Sequence, residues 1–132
     1  MDTLELNEKA MGAMVSPVFE FRSLLDWQNI SEAELQEKVV MHQILELPTS
    51  DGNKVFPSWQ FNPDGSVNEN ILKVVRILAA AADPWTIALW LCVSRDEKDT
   101  KNLVPTYLDL LSDRNVDDIV LSAQLDADRW RN

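Results

Sequence analysis

The sequence predicts a mainly α fold: a helical bundle interrupted by a short β-hairpin or extended arm around residues 44–61. Three observations carry this. Apolar residues recur at helical spacing on both sides of the arm. Helix-start signals stand where those patterns begin, Ser31 followed by Glu34 and Asp83 followed by Pro84. Between them the texture turns extended, and Ser50-Asp51-Gly52-Asn53 supplies turn chemistry. At 132 residues the chain fits a single domain, with an N-terminal helical half, 1–46, and a second half, 47–132.

The elements follow in order. Leu4, Met11 and Val15 fall on one face of a first helix over residues 2–15, which Pro17 closes. A short helix is predicted over 19–27, with Phe19, Leu24 and Trp27 as core side chains. Ser31 and Glu34 form a capping box for a third, in which Leu35, Val39 and His42 share a stripe. Residues 44–48 and 54–61 are the extended arms, and Pro57 argues that the second is an edge strand or irregular, because proline cannot donate to a ladder. Asn62-Pro63-Asp64-Gly65 makes a second turn. Ile71, Leu72, Val75 and Leu78 mark the buried stripe of the next helix. Asp83 caps the one after it, which runs from Trp85 to about Val93, is apolar nearly all round and should be the most buried element. Residues 95–102 read as a charged loop, and Pro105 opens a short helix with Tyr107, Leu108, Leu110 and Leu111. Val116, Ile119, Val120, Ala123, Ala127 and Trp130 then trace one face of a final helix.

Hydrophobic residues at 45% and charged ones at 26% suit a globular chain able to build its own core. Cys92 is the only cysteine, so no internal disulfide forms and a reducing compartment suits the chain. The start, MDTLELNEKAMGAM, is acidic and lacks the apolar run of a signal peptide. The longest apolar stretch, 85–93, falls far short of the ~20 residues of a membrane helix. A cytoplasmic location is therefore expected. The net charge of −10 repels phosphate backbones and anionic lipid and attracts basic protein surfaces.

Catalytic chemistry finds little to work with. His42 is the single histidine and reads as a structural side chain rather than a base. Cys92 lies inside an apolar helix, where a thiol behaves as a small hydrophobe. One histidine and one cysteine do not make a typical zinc site. Three glycines supply no G-x-S-x-G elbow, Walker A loop or G-x-G-x-x-G turn. Asp96, Glu97 and Asp99 lack the spacing of a calcium loop, and Asp117-Asp118 are explained by the dipole of the helix they start. No catalytic residue, metal or cofactor is predicted. Five tryptophans suit either packing or an interface. Trp59 and Trp130 lie outside dense apolar runs, and Leu121 with Leu125 forms an apolar pair off the main stripe of the last helix.

From Val55 onward the chain resembles the C-terminal toxin-binding domain of the Xre/MbcA/ParS-type antitoxins of bacteria. The residues that carry the resemblance are Phe56-Pro57-Ser58-Trp59-Gln60-Phe61, Asp64-Gly65-Ser66-Val67, Asp83-Pro84-Trp85 with Ala88-Leu89-Trp90-Leu91, and Pro105 followed by Leu108-Asp109-Leu110-Leu111. The resemblance implies a non-catalytic helical domain that binds a RES-type toxin, an NAD-consuming enzyme, and covers its active site. Given that family's use of its C-terminal end, the partner-facing residues are Trp59, Leu121, Leu125, Asp126, Trp130 and Arg131. Family members commonly carry a DNA-binding N-terminal half. Here Lys9, Arg22 and Lys38 are outnumbered by acids and no basic recognition helix precedes Ile44, which disfavours DNA as a partner. The alternatives are an orphan adaptor or a transcriptional regulator of the same fold, or a small-molecule-binding domain lined by tryptophans. A homodimer is compatible with the apolar stripes of the first and last helices.

Overall fold

The fold follows from two separately packed sets of elements, seen in a computed structural model that describes residues 15, 17–93, 106–111 and 116–131. Contacts group the chain into two compact units, 1–68 and 69–132, so the arm belongs with the N-terminal helices. The described architecture is mainly α, with six helices and one small antiparallel sheet.

The N-terminal unit contains β1 (Val18–Glu20), α1 (Phe21–Gln28), α2 (Glu32–Val40), β2 (Leu47–Pro48), β3 (Lys54–Pro57) and a 3₁₀ turn at Ser58–Gln60. The sheet order is β1-β3-β2. The predicted hairpin is present as β2 and β3, with Leu47 opposite Val55. Two expectations are corrected. Phe19 lies in a strand, opposite Phe56, instead of opening a helix. β3 is the central strand despite Pro57, because two-residue β2 has ended before Pro57 is reached and only Val18 stands opposite it. The missing N–H thus falls where a ladder partner is lacking on one side.

Helix ends in this unit are set locally. The Ser31 hydroxyl accepts from the Glu34 N–H at 3.2 Å, as the capping box predicts. Past Val40 the chain turns left-handed at His42 (φ 55), with Gln43 N–H on Lys38 O at 2.8 Å and His42 N–H on Val39 O at 3.1 Å. These two bonds form a Schellman ending. His42 is therefore exposed beyond the helix and does not extend the Leu35–Val39 stripe. Leu24, Leu25, Leu35, Ile44 and Phe56 form the core of this unit.

Gln60, 2% exposed, acts as a clasp in that core. Its Oε1 accepts from the Leu45 N–H at 2.8 Å and its Nε2 donates to Leu45 O at 3.0 Å. The amide thus replaces a ladder partner for a buried backbone that has none. Gly65 (φ 91) completes the second turn, and its carbonyl accepts from Gln28 Nε2 at 2.7 Å. The turn carboxylates Asp51 and Asp64 are held below the usual range. For Asp51 the Thr49 hydroxyl is the main cause, and for Asp64 the Ser66 hydroxyl.

The C-terminal unit contains α3 (Glu69–Ala79), α4 (Pro84–Cys92), α5 (Tyr107–Leu111) and α6 (Val116–Arg131). α3 presents Ile71, Val74, Val75 and Leu78 as its buried stripe, with Val74 in place of the predicted Leu72, which is half-buried, and packs chiefly on α6. Ala123 and Ala127, both essentially fully buried, let the α6 backbone come close. Asp83 accepts from the Thr86 N–H at 2.7 Å with Pro84 in the first turn, as predicted. α4 is less buried than its composition suggests. Ile87, Ala88 and Leu91 are covered, while Trp85, Leu89 and Trp90 remain half-buried. α5 opens on a reciprocal cap between Thr106 and Asp109, each backbone N–H donating to the other's side chain at 3.1 Å. The predicted first helix apart from Val15, the 95–102 loop with Asp96, Glu97 and Asp99, and Pro105 lie outside the described residues. Among the described residues no helix is long and apolar enough to cross a membrane.

Candidate interaction surface

The last helix is built with two apolar faces, and only one is used for folding. Ile119, Ala123 and Ala127 recur every four residues and are buried. Asp117 and Asp118 lie in the first turn and Arg129 and Arg131 in the last, each the charge that the helix dipole favours there. At 3.6 residues per turn, Leu121 and Leu125 fall on the side opposite the buried stripe, one turn apart. They are 54% and 57% exposed. Arg131, one turn past Ala127, lies on the flank between the two sides and pairs with Asp128.

The other predicted partner residues divide differently. Asp126 is half-buried and structural: its carboxylate accepts from the Trp90 indole N–H at 2.7 Å and pairs with Arg129 at 3.3 Å. Trp90 in turn stacks on Tyr107, with centroids 4.0 Å apart and planes at 12°. One carboxylate thereby clips α4 and α5 to α6. Asp126→Ala is expected to lower stability by about 1.5–3 kcal/mol, the range for a hydrogen bond to a charged acceptor, seen as a lower melting temperature. Trp130 sits at the edge of the inward stripe, 38% exposed. Trp59 belongs to the N-terminal unit, where its indole N–H donates to Val15 O at 2.9 Å. That bond ties the 3₁₀ turn to the start of the described chain.

Sequence reasoning missed other exposed apolar groups. Trp27, assigned to the core, is 42% exposed. It stacks on Phe19 at 4.9 Å and meets Phe61 edge-on at 5.5 Å, so one ring face packs while the other is open. Val40 and Met41 are exposed where the left-handed turn at His42 ends α2. No sequence pattern marked them, because their exposure depends on where the helix stops. Gln60 carried no signal either: its partner lies fifteen residues away.

The chemistry on offer is sparse. Burial, with the Asp109 carboxylate adding to it, pushes the Cys92 thiol up to about 12. At pH 8 its thiolate fraction is then on the order of 10³-fold below that of a free cysteine. Alkylation by iodoacetamide should be slower by a similar factor in the folded chain and rise to the free rate in denaturant. Among the described residues no group of three or more His, Cys, Asp or Glu side chains is arranged to hold a metal ion. No protein-family model matches the chain, and neither a curated protein nor a solved structure matches it.

Proposed function

We propose that the chain is a non-catalytic, antitoxin-like binding protein that neutralises a RES-type toxin by covering its active site. The observation that supports this best is the Leu121–Leu125 pair. Two leucines one turn apart are held in water on a helix whose opposite side already supplies its packing. Leaving such a pair exposed costs solubility and returns nothing to the fold, which is the usual mark of a contact surface. The acidic excess of the chain, −10 overall, adds a long-range attraction to a partner of opposite net charge. Leu121, Leu125 and Arg131 are the contact residues in this reading; Trp130 borders them, and Asp126 and Trp59 hold their own units together.

The test is affinity purification of the tagged chain from its host, followed by mass spectrometry. A RES-type protein recovered at near-equal stoichiometry supports the reading. Clean recovery of the chain without any such protein refutes the antitoxin role and leaves an orphan adaptor.

A further inference from the structure

We infer that the outward face of α6 is self-complementary, and that a second copy of this chain docks on it antiparallel. The inference is independent of the functional reading, because it rests on the charge order along one helix. Asp117, Gln124 and Arg131 follow at intervals of seven residues and so line one flank of the Leu121–Leu125 pair. A two-fold axis beside Gln124 brings Leu121 onto Leu125 of the second copy, and Leu125 onto its Leu121. The same rotation sets Asp117 against Arg131 at both ends of the contact. Gln124 meets its own equivalent, where one amide donates and the other accepts. A parallel arrangement would oppose Asp117 to Asp117 and Arg131 to Arg131, so the charge order selects the antiparallel one. This is the isologous geometry of a two-fold dimer, in which residue i meets j and j meets i.

Three costs oppose the contact, and none is large. Arg131 leaves its intrachain pair with Asp128, but those side chains are 51% and 65% exposed, where such pairs contribute little. Asp118 approaches Asp128 of the second copy in the end layer, a repulsion between exposed, water-screened carboxylates that weakens the dimer. The net charge of −10 on each chain opposes association at long range, yet at physiological salt it is screened beyond roughly 8 Å while the Asp117–Arg131 pairs act at contact. A purely basic partner fits this face less well, since its C-terminal end carries Arg129 and Arg131. One helix face buries less than the ~800 Å² per subunit of a stable interface, so the dimer is weak, with a dissociation constant on the order of 10–100 µM. A weak dimer keeps Leu121 and Leu125 out of water and yields them to any tighter partner.

Sedimentation equilibrium of the purified full chain, up to several hundred micromolar, tests this. The expected result is a reversible monomer–dimer equilibrium. Asp117→Arg and Arg131→Asp each weaken it about tenfold or more, and the double variant recovers it. Asp117→Arg moves the net charge from −10 to −8, so general repulsion alone would make that variant associate more tightly. Its weakening is therefore specific to the pair. Circular dichroism establishes that each variant keeps its helices. A wild-type chain that stays monomeric throughout, or a dimer indifferent to both reversals, overturns the proposal.

Discussion

Replacing Gln60 with glutamate is expected to cost about 3–5 kcal/mol of stability at neutral pH and much less under acid conditions. The amide is 2% exposed and serves both the N–H and the C=O of Leu45. A carboxylate can still accept from that N–H, but it leaves the Leu45 carbonyl without a donor and places a buried charge beside it. Only the protonated acid restores both bonds. The folded-state pKa of the introduced glutamate is thus raised above the ordinary value of about 4.3. The sign is that of any raised acid: its contribution is fully present below the unfolded pKa and is lost as pH rises through the folded one. Urea unfolding of variant and wild type, paired at pH 4 and pH 7, should show the difference growing with pH. Gln60→Leu provides the contrast, losing about 2–4 kcal/mol at both pH values because it leaves two buried backbone groups unpaired. Equal losses for the glutamate variant at the two pH values would show that the clasp is not a paired amide.

Leu121→Asp with Leu125→Asp is expected to separate binding from folding. Both side chains are more than half exposed, so unfolding should shift by less than about 1 kcal/mol, mostly from weaker helix propensity. Partner affinity should fall about 100-fold or more, since two apolar anchors are lost and two charges would be desolvated. The measurement is a thermal melt beside quantitative capture of the RES-type protein on wild-type and variant bait. A variant that unfolds would instead make the leucines part of the core.

Local signals in the sequence translated directly into structure. Asp83-Pro84 and Ser31 with Glu34 cap the helices they predict, since a cap needs only residues within one turn. The α6 stripe of Ile119, Ala123 and Ala127 is buried as its spacing requires. The two arms around Asp51-Gly52 pair as a hairpin. What escaped was non-local. β1 is three residues long, shorter than any usable alternation, and exists because β3 offers it a partner. His42 occupies the left-handed turn that more often takes glycine, so the end of α2 was hidden by an atypical residue. Trp27 reads as core by composition, but the packing uses one face of its ring. Among the candidate partner residues, the exposure of Leu121 and Leu125 is legible because they break the stripe of their own helix. The bond from the Trp90 indole to Asp126 is not legible, since the two lie 36 positions apart and no spacing rule joins them.

If the chain acts as proposed, by covering an NAD-consuming enzyme through the outward face of α6, NAD levels in cells that produce the RES-type protein recovered with it report this. NAD should be depleted when that protein is made alone, preserved when the wild-type chain is co-produced, and depleted again with the Leu121→Asp, Leu125→Asp variant at equal abundance. Preservation by the variant as good as that by the wild type, or depletion with both, would contradict it.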